Sequence, residues 1–344
     1  MFAMKLVLLA ISVSVCLLLL ELAVRWLLPQ YTPERLIWFQ VATNGVALGL
    51  PSQTIRQRTP KGDYDVSISF NALGLRDPKH LRDSTQADWF LIGDSFAFGW
   101  GLPEHERYSN LLEAHLRTNG ITSRVFNIAV PENIIGYQRL LAYGESNGAK
   151  VRHVIVGICM ENDLRDYVDG RTMTERDRFN LNTPGRKEMI KAIVRSHSAL
   201  YVAASFTLQR FPFCRRLMEK VGIARNIELI SGKNEWNPKL LEASRDQLLK
   251  VVASRDAIIL IVPGRRLWEG DNMKTEDRVH ETFVRLLREA GLRVVDMRPV
   301  FEKTGKPLAH YFKTDPHWNA QGHAAAATEL FRAVQALQSS NSSQ

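Results

Sequence analysis

The chain is poor in cysteine: it has three among 344 residues, and no two of them form a Cys-x-x-Cys pair. This spacing excludes the disulfide framework of small secreted domains and argues against a structural zinc site or a redox dithiol. A chain of this length buries enough apolar surface to fold without either. Hydrophobic residues at 45% and charged residues at 24% exclude a wholly disordered chain. We therefore expect a globular protein that needs no metal and no cofactor.

Acidic residues are too few to balance the basic ones, which leaves a formal net charge of +9. Residues 171–225 carry nearly all of this excess, with twelve basic residues against four acidic ones. The basic residues are Arg171, Arg176, Arg178, Arg186, Lys187, Lys191, Arg195, Arg210, Arg215, Arg216, Lys220 and Arg225. A solvated helical insertion would have this composition, and so would a patch that binds lipid headgroups or an anionic polymer. We treat residues 171–235 as an insertion and keep both interpretations.

The longest apolar run is at the N-terminus. Residues 6–20 are all apolar or small, and the apolar character continues past Glu21 as far as Leu28. Counted to Leu28, the run reaches the length of about 20 residues that a membrane-spanning helix needs. Residues 1–28 are predicted to be an uncleaved signal-anchor that contacts the membrane through residues 4–28, with a cleaved signal peptide and a buried core helix as alternatives. With Lys5 in the cytoplasm, the rest of the chain would lie at the periplasmic face of a bacterial inner membrane.

From residue 89 onward, short apolar strands alternate with helical segments. Strands are predicted at 89–92, 124–128, 153–158, 257–262 and 292–297, and helices at 109–118, 135–145, 239–253, 276–290 and 320–337. Ser109 and Asn319 have side chains suited to N-caps of the first and last of these helices. The alternation predicts an α/β fold, with three layers (α/β/α) around a mainly parallel five-stranded sheet. In such sheets, ligands bind beyond the carboxyl ends of the strands.

The predicted elements divide the chain into four parts. Residues 1–28 form the anchor, and residues 29–87 form a connector with short strands, one of them at 65–70, that packs on the main domain. Residues 88–338 form that domain, interrupted by the insertion 171–235. Residues 339–344 are Ser, Asn and Gln only, and we predict that they are disordered.

Three short motifs follow predicted strands and carry residues capable of catalysis. Ser95 directly follows the first strand, so its hydroxyl can face solvent and its amide can point at a substrate oxygen. Asn162 follows the third strand, and its side-chain amide can donate a hydrogen bond to an oxyanion. Asp315 and His317 follow the last strand, where the imidazole can take the serine proton and the carboxylate can orient the imidazole. Each motif alone also fits turn or capping chemistry; their combination indicates a Ser-His-Asp site.

These motifs resemble those of the SGNH (GDSL-like) hydrolases over residues 88–335. Gly-Asp-Ser at 93–95 resembles the first block of that family, Asn-Asp at 162–163 its third block, and Asp315 with His317 its final block. The resemblance implies that Ser95 is the nucleophile, His317 the base and Asp315 its orienting partner. It also implies an oxyanion hole built from the Ser95 amide, a backbone amide of the second block and the Asn162 side chain.

The sequence departs from the family pattern in three places. The final block is Asp-x-His, one residue shorter than the usual spacing, and looks more like members associated with polysaccharide O-acetylation. The second block has Pro-Glu-Asn at 131–133 where a glycine is expected, so Asn133 is our candidate for the missing oxyanion donor. The third block has Met-Glu before Asn162. The segment 71–77 also resembles one found upstream of the catalytic domain in membrane-anchored, envelope-associated members.

Taken together, the anchor and the motifs predict an extracytoplasmic serine esterase that removes O-acyl groups, above all O-acetyl, from a cell-envelope or exported polysaccharide. The same triad in a polysaccharide O-acetyltransferase is one alternative. A non-catalytic scaffold or glycan-binding member of a polysaccharide assembly is another, and a lipase acting on bilayer lipids is a third. Expected partners are an acylated polysaccharide or a small ester, the membrane and polysaccharide-assembly proteins. Nucleic acid is not expected, because a membrane leader fits poorly with such a role.

Overall fold

A computed structural model describes residues 2–33, 39–42, 44–59, 61–165, 168, 170–172, 190, 194, 197–220, 234–253 and 255–341. The chain begins with a long apolar helix, α1 (Phe2–Leu27). Its segment Met4–Leu27 has a mean hydropathy of 2.7 and is not buried by the rest of the protein. The N-terminus is thus an apolar helix of the length and composition found in signal sequences and membrane anchors.

Two small antiparallel hairpins follow α1. Strand β1 (Phe39–Val41) pairs with β2 (Ala47–Gly49), and β3 (Thr54–Arg58) pairs with β4 (Asp65–Ser69). Apolar side chains of these hairpins join the buried core of the main domain, with Leu48 in one cluster and Ile55 and Ile68 in another. The hairpins are therefore packed on the domain rather than suspended beside it.

Five parallel strands form the central sheet of the described residues. They are β5 (Trp89–Ile92), β6 (Val125–Asn127), β7 (His153–Cys159), β8 (Asp256–Val262) and β9 (Arg293–Asp296). Their spatial order is β6-β5-β7-β8-β9, with every neighbouring pair parallel. The predicted α/β fold with a five-stranded parallel sheet is confirmed.

The helices after α1 that lie within the described residues connect or flank these strands. They are α2 (Ser95–Phe98), α3 (Tyr108–Thr118), α4 (Ile134–Ser146), α5 (Ala199–Leu208), α6 (Pro212–Lys220), α7 (Pro238–Val252), α8 (Met273–Glu289), α9 (Met297–Glu302) and α10 (Ala320–Asn341).

Alternation along each strand sends side chains to opposite faces of the sheet. Phe90 and Ile92 of β5 join a cluster that includes residues of α4, α7 and α8. Trp89 and Leu91 join a second cluster with residues of α3, α9 and α10. Each fully buried side chain of this kind contributes about 1.5–3 kcal/mol to folding. Two apolar clusters, one on each face, give the three-layer arrangement.

Several helix and strand boundaries differ from the sequence predictions. Ser109 is not the N-cap of α3: the helix starts one residue earlier, and the Ser109 hydroxyl accepts a hydrogen bond from Asn127 instead. The last strand ends at Asp296, because the Asp296 carboxylate caps α9 through the amide of Arg298. Asn319 does cap α10, accepting from the amides of Gln321 and Gly322.

The closing helix is longer than predicted. It continues to Asn341, so residues 339–341 of the tail are helical, and the Ser339 hydroxyl donates to the carbonyl of Gln335 in the preceding turn. Residues 342–344 lie outside the described residues. Most of the predicted basic insertion, including residues 173–189 and 221–233, also lies outside them.

Candidate active site

The first motif lies in a tight turn at the carboxyl end of β5. Gly93 has φ of 151°, and a Cβ there would lie 2.7 Å from the Ala97 Cβ and 2.9 Å from the carbonyl oxygen of Gly157. Only glycine fits this close approach without strain. Asp94 then caps the short helix α2 by accepting from the Phe96 amide at 2.9 Å. The turn places Ser95 at the first position of α2.

The final motif lies in the loop before α10, held by several hydrogen bonds. Arg265 donates to the carbonyls of Phe312 at 3.0 Å and Asp315 at 3.1 Å. The Phe312 amide donates to the carbonyl of His317 at 2.9 Å, which closes the loop on itself. The Asp315 carboxylate also accepts from the backbone amide of His317 at 3.0 Å. These contacts fix the acid and the imidazole relative to each other.

The two motifs meet although they are more than 200 residues apart in the chain. Nε2 of His317 lies 2.7 Å from the Ser95 hydroxyl, and Nδ1 of His317 lies 2.5 Å from Oδ1 of Asp315. Both distances are within hydrogen-bond range. The arrangement brings a hydroxyl, an imidazole and a carboxylate into one linear relay at the carboxyl edge of the sheet.

Aromatic rings hold the imidazole in this orientation. The Trp100 ring stacks against His317 with centroids 5.6 Å apart and planes 25° apart. Phe96 lies on another side of the imidazole, at a centroid distance of 4.9 Å. Between them the rings restrict rotation of the imidazole away from Ser95.

Asn162 is half-buried beside this turn. Its side chain is near enough to the buried Asp94 carboxylate to lower the pKa of that group. A primary amide has two N–H groups that can donate to an acceptor. The adjacent Asp163 is fully buried; it accepts from Tyr137 at 2.9 Å and from the Cys159 amide at 2.8 Å. Asp163 thus fixes the loop that carries Asn162.

Burial makes the Asp94 carboxylate less acidic. The loss of solvent raises its pKa to about 6, although the hydrogen bond from the Phe96 amide, the charge of His317 and the nearby Asn162 side chain oppose this. Asp94 stabilises the turn and is not a member of the relay, because its carboxylate caps α2.

The oxyanion donor expected from the second block is a backbone amide, which stays a prediction, whereas the Asn133 side chain has a capping role. It is buried and caps α4: Oδ1 accepts from the Gly136 amide at 3.1 Å, and Nδ2 donates to the Arg171 carbonyl at 2.8 Å. The physical reason is that the helix starts directly after Asn133, and an Asn at that position satisfies an amide of the first turn. Ser95, His317 and Asp315 are the predicted site residues that contact one another, and Asn162 lies in the loop after β7.

The environment of His317 predicts the acid limb of a pH–rate profile. Burial lowers the pKa of His317, but the charge and hydrogen bond of Asp315 outweigh it and leave the pKa above its usual value. The pKa of Asp315 is lowered: burial raises it, and the charge and hydrogen bonds of His317 more than reverse this. A general base must be neutral, so with His317 as the predicted base we expect activity to be lost as pH falls through the His317 pKa.

We therefore expect kcat/KM for a small acetyl ester to fall on the acid side with a midpoint above about 6.5, the ordinary histidine value. The measurement is kcat/KM across pH in buffers of constant ionic strength. A midpoint well below that value would contradict the charged-carboxylate environment of the imidazole.

His323, by contrast, is a structural histidine. Its Nδ1 accepts from the Tyr108 amide at 3.1 Å, and its ring stacks on Tyr108. Burial and the nearby guanidinium groups of Arg107 and Arg76 lower the pKa of His323 to about 3. It is therefore neutral at any ordinary pH and lies outside the relay.

Comparison with known proteins identifies the family. The chain matches the GDSL-like Lipase/Acylhydrolase family over residues 91–325, which includes both motifs of the relay. This chain belongs to that family. It is a carboxylic ester hydrolase of the GDSL type. No curated protein is similar enough in sequence to count as a relative.

Solved structures similar to this GDSL hydrolase include three esterases or hydrolases. LAE5, an alpha/beta hydrolase from the metagenome of Lake Arreo, is 18% identical with a TM-score of 0.41, covering 74% of this chain and 97% of that one. A catalytic mutant of Axe2, an acetylxylan esterase from Geobacillus stearothermophilus, is 12% identical with a TM-score of 0.40, covering 73% and 95%. The esterase EstA from Pseudoalteromonas sp. is 12% identical with a TM-score of 0.36, covering 74% and 99%. The family assignment rests on the match over residues 91–325.

Two residues that sequence reasoning missed lie against the relay. The Tyr64 hydroxyl donates to Oδ2 of Asp315 at 2.9 Å, and Nε1 of Trp100 donates to the Tyr64 hydroxyl at 2.7 Å. Tyr64 belongs to the segment 29–87, upstream of the predicted catalytic domain and 251 positions from Asp315. No local pattern in the sequence marks either residue.

Proposed function

We propose that this GDSL hydrolase is anchored by α1 and removes O-acyl groups, above all O-acetyl, from a cell-envelope or exported polysaccharide outside the cytoplasm. Ser95 is the nucleophile, His317 the base and Asp315 its orienting partner. Residues 1–28 anchor the chain in the membrane, residues 29–87 connect the anchor to the main domain, and residues 88–338 form the catalytic domain. One observation carries the chemistry: the 2.7 Å contact between the Ser95 hydroxyl and Nε2 of an imidazole that is itself paired to a carboxylate.

The reaction proceeds through an acyl-enzyme. The Ser95 oxygen attacks the acyl carbonyl while its proton passes to Nε2 of His317, and the imidazolium then protonates the departing sugar oxygen. Water then attacks the acyl-serine and gives a proton to Nε2 of His317, and the imidazolium passes that proton to the Ser95 oxygen as the bond to the acyl group breaks and the acid leaves. The Ser95 amide and the side-chain amide of Asn162 stabilise the oxyanion, and one such donor is worth about 3 kcal/mol of barrier.

The contacts of α1 support its proposed role as an anchor. Near its carboxyl end, Glu21 caps α5: its carboxylate accepts from the Ser198 hydroxyl at 2.9 Å and from the amides of Ala199 at 2.8 Å and Leu200 at 2.9 Å. Glu21 is also paired with Arg25 at 2.7 Å. Residues 4–20 of the helix are exposed, as expected of a segment whose partner is lipid.

The helix α6 supports a location at the lipid surface. Phe213 and Leu217 lie one turn apart and are 75% and 52% exposed, and Arg216 and Lys220 are exposed beside them. Exposed aromatic and aliphatic side chains next to basic ones are typical of helices that lie in the headgroup region of an anionic bilayer. Helix α6 follows α5 after one turn, and α5 packs on α1. Helix α6 is therefore next in the chain to a helix that contacts the proposed anchor.

We expect α6 to respond to anionic lipid. Cys214 is the half-buried cysteine of α6, so a Cys16→Ala variant labelled there with an environment-sensitive dye reports on the helix. In vesicles that contain phosphatidylglycerol, emission should move to shorter wavelength than in pure phosphatidylcholine, and high salt should reverse part of the shift because exposed charges are screened over about 10 Å at 0.1 M. Identical emission in both lipids would contradict the proposed surface, as would a shift that persists after Arg216→Ser and Lys220→Ser.

The substrate is tested with full-length protein reconstituted in detergent or nanodiscs. The protein is incubated with acetylated polysaccharides alone and with an acetyl donor plus deacetylated polysaccharide, and both released acetate and newly acetylated sugar are measured. Release of acetate that depends on Ser95 supports the esterase. Transfer to sugar without hydrolysis would make the protein an O-acetyltransferase, and neither product from well-folded protein would contradict the polysaccharide substrate.

A further inference from the structure

We propose that Tyr64, delivered by the β3–β4 hairpin, is a positioning residue of the active site that holds the second carboxylate oxygen of Asp315 and thereby keeps His317 aimed at Ser95. This inference rests on the proposed function of the Ser95, His317 and Asp315 relay. It extends the catalytic site into the N-terminal segment, which the sequence presents as a connector.

The two oxygens of the Asp315 carboxylate each receive one side-chain donor. Oδ1 pairs with Nδ1 of His317, and Oδ2 accepts from the Tyr64 hydroxyl at 2.9 Å. Asp315 is only 4% exposed and Tyr64 9% exposed, so water has little access to this pair. A buried carboxylate held at both oxygens cannot rotate about its own axis without breaking a hydrogen bond, which fixes the direction in which Oδ1 faces the imidazole.

Trp100 determines which way the tyrosine proton points. Its indole N–H, which can only donate, is directed at the Tyr64 oxygen at 2.7 Å. The single hydroxyl proton of Tyr64 is therefore available to Asp315. Because the same indole stacks on His317, Trp100 contacts both ends of the Tyr64–Asp315–His317 chain. Burial, together with the charge of Asp315, raises the pKa of Tyr64 strongly, so the hydroxyl stays protonated throughout any working pH range.

The β3–β4 hairpin contacts the loop that carries Asp315 at more than one point. The neighbouring Asp63 accepts from the Thr314 amide at 2.9 Å and also from the Thr314 hydroxyl. The Tyr64 ring lies 5.1 Å from that of Phe312 and directly over Gly101, where a Cβ would come within 2.5 Å of the ring. These contacts hold Tyr64 in place through both the hairpin and the loop that carries Asp315. Its position therefore does not depend on its own side chain alone.

The test is Tyr64→Phe in the full-length protein, with Tyr143→Phe as the matched control. Tyr143 also ties the N-terminal segment to the domain, through its hydroxyl and the Leu73 carbonyl at 3.1 Å, and has no contact with the relay. Tyr64→Phe should lower kcat for a small acetyl ester by about 10- to 100-fold with KM nearly unchanged, because misplacement of a catalytic group acts on the reaction step. Tyr143→Phe should stay within a few-fold of wild type.

The pH profile separates positioning from general destabilisation. Without the Tyr64 hydrogen bond, the Asp315 charge acts more fully on the imidazolium, so the acid limb of kcat/KM should move to higher pH in Tyr64→Phe and stay in place in Tyr143→Phe. Asp63→Ala, which loosens the same loop without touching the carboxylate, should lower kcat less than Tyr64→Phe does. If thermal unfolding shows that Tyr64→Phe is poorly folded, the kcat of Asp63→Ala provides a second test of the hairpin's role.

The outcomes distinguish this inference from the proposed function. An inactive Ser95→Ala together with a Tyr64→Phe variant that matches Tyr143→Phe in kcat and pH profile would overturn the role of Tyr64 alone. Equal losses in Tyr64→Phe and Tyr143→Phe, both with an unmoved acid limb, would overturn it as well. A fully active Ser95→Ala would overturn the relay and with it the role of Tyr64.

Discussion

Replacing Ser95 with alanine will lower kcat for p-nitrophenyl acetate by about a million-fold, the size of effect seen when a catalytic serine is removed from a serine hydrolase. In the proposed mechanism the Ser95 oxygen forms the acyl bond, and no neighbouring hydroxyl in the described part of the relay can replace it. The fold should survive, because the turn around Ser95 is held by Gly93 and by the cap from Asp94 rather than by the serine hydroxyl. The loss of kcat is measured by single-turnover and steady-state kinetics, and thermal unfolding of the same variant checks the fold.

A buried serine nearby supplies the control. The Ser109 hydroxyl accepts from the Asn127 side chain at 2.9 Å and has no contact with His317. Ser109→Ala should lose about 1–3 kcal/mol of stability, because a buried donor loses its partner, yet keep activity within a few-fold. A Ser95→Ala variant that keeps a tenth or more of wild-type activity would contradict the assignment of the nucleophile.

Replacing Asp315 with asparagine will lower kcat by about 10⁴-fold, as removal of the charge does in the well-studied Ser-His-Asp enzymes. Asparagine keeps the shape of the side chain, but its neutral amide cannot stabilise the imidazolium and can hold the imidazole in the wrong tautomer. The pKa of His317 should fall as well, because the carboxylate charge that raises it is gone. The remaining activity should therefore extend to lower pH than that of the wild type.

Asp63→Asn is the matched control for this substitution. It changes a carboxylate that contacts the same loop, and the asparagine oxygen can still accept from Thr314. Its kcat should remain within a few-fold of wild type with an unmoved acid limb. A loss of less than 10-fold in Asp315→Asn, or an acid limb that moves to higher pH, would contradict the role given to Asp315.

The sheet could be predicted from the sequence because its strands are buried on both faces. The run Ile258–Ile261 of β8 is apolar at every position, and Phe90 and Leu91 of β5 point into different clusters. Runs of this kind between helical segments have few alternatives to a parallel sheet. The approximate meeting of Ser95 with His317 followed from the same reasoning, since parallel strands end at one edge.

Details that depend on tertiary contacts could not be predicted. Asn133 was a candidate oxyanion donor because only its place after a strand was visible, whereas its capping bonds to Gly136 and Arg171 depend on the path of the chain around it. The helical continuation to Asn341 could not be predicted from the polar composition of the last residues. Boundaries of this kind are set by contacts that composition does not encode.

The contact of Tyr64 with Asp315 is the clearest example of a detail that the sequence does not reveal. It lies in the loop between β3 and β4, where the residues Lys61-Gly62-Asp63 mark only a turn. Its contact with Asp315 exists because the hairpin is packed against the second core cluster through Ile55 and Ile68, which brings its loop over the active site. A sequence comparison limited to residues 91–325 would leave this residue out of the site.

Covalent labelling with a fluorophosphonate, followed by peptide mass mapping, tests whether His317 activates Ser95, because this probe reacts only with a serine that a base has activated. We predict one modified peptide, carrying the phosphonyl group on Ser95, with a labelling rate that falls as His317 becomes protonated and is abolished in His317→Ala. Well-folded protein that remains unlabelled at Ser95, or that is labelled there equally fast without His317, would contradict it.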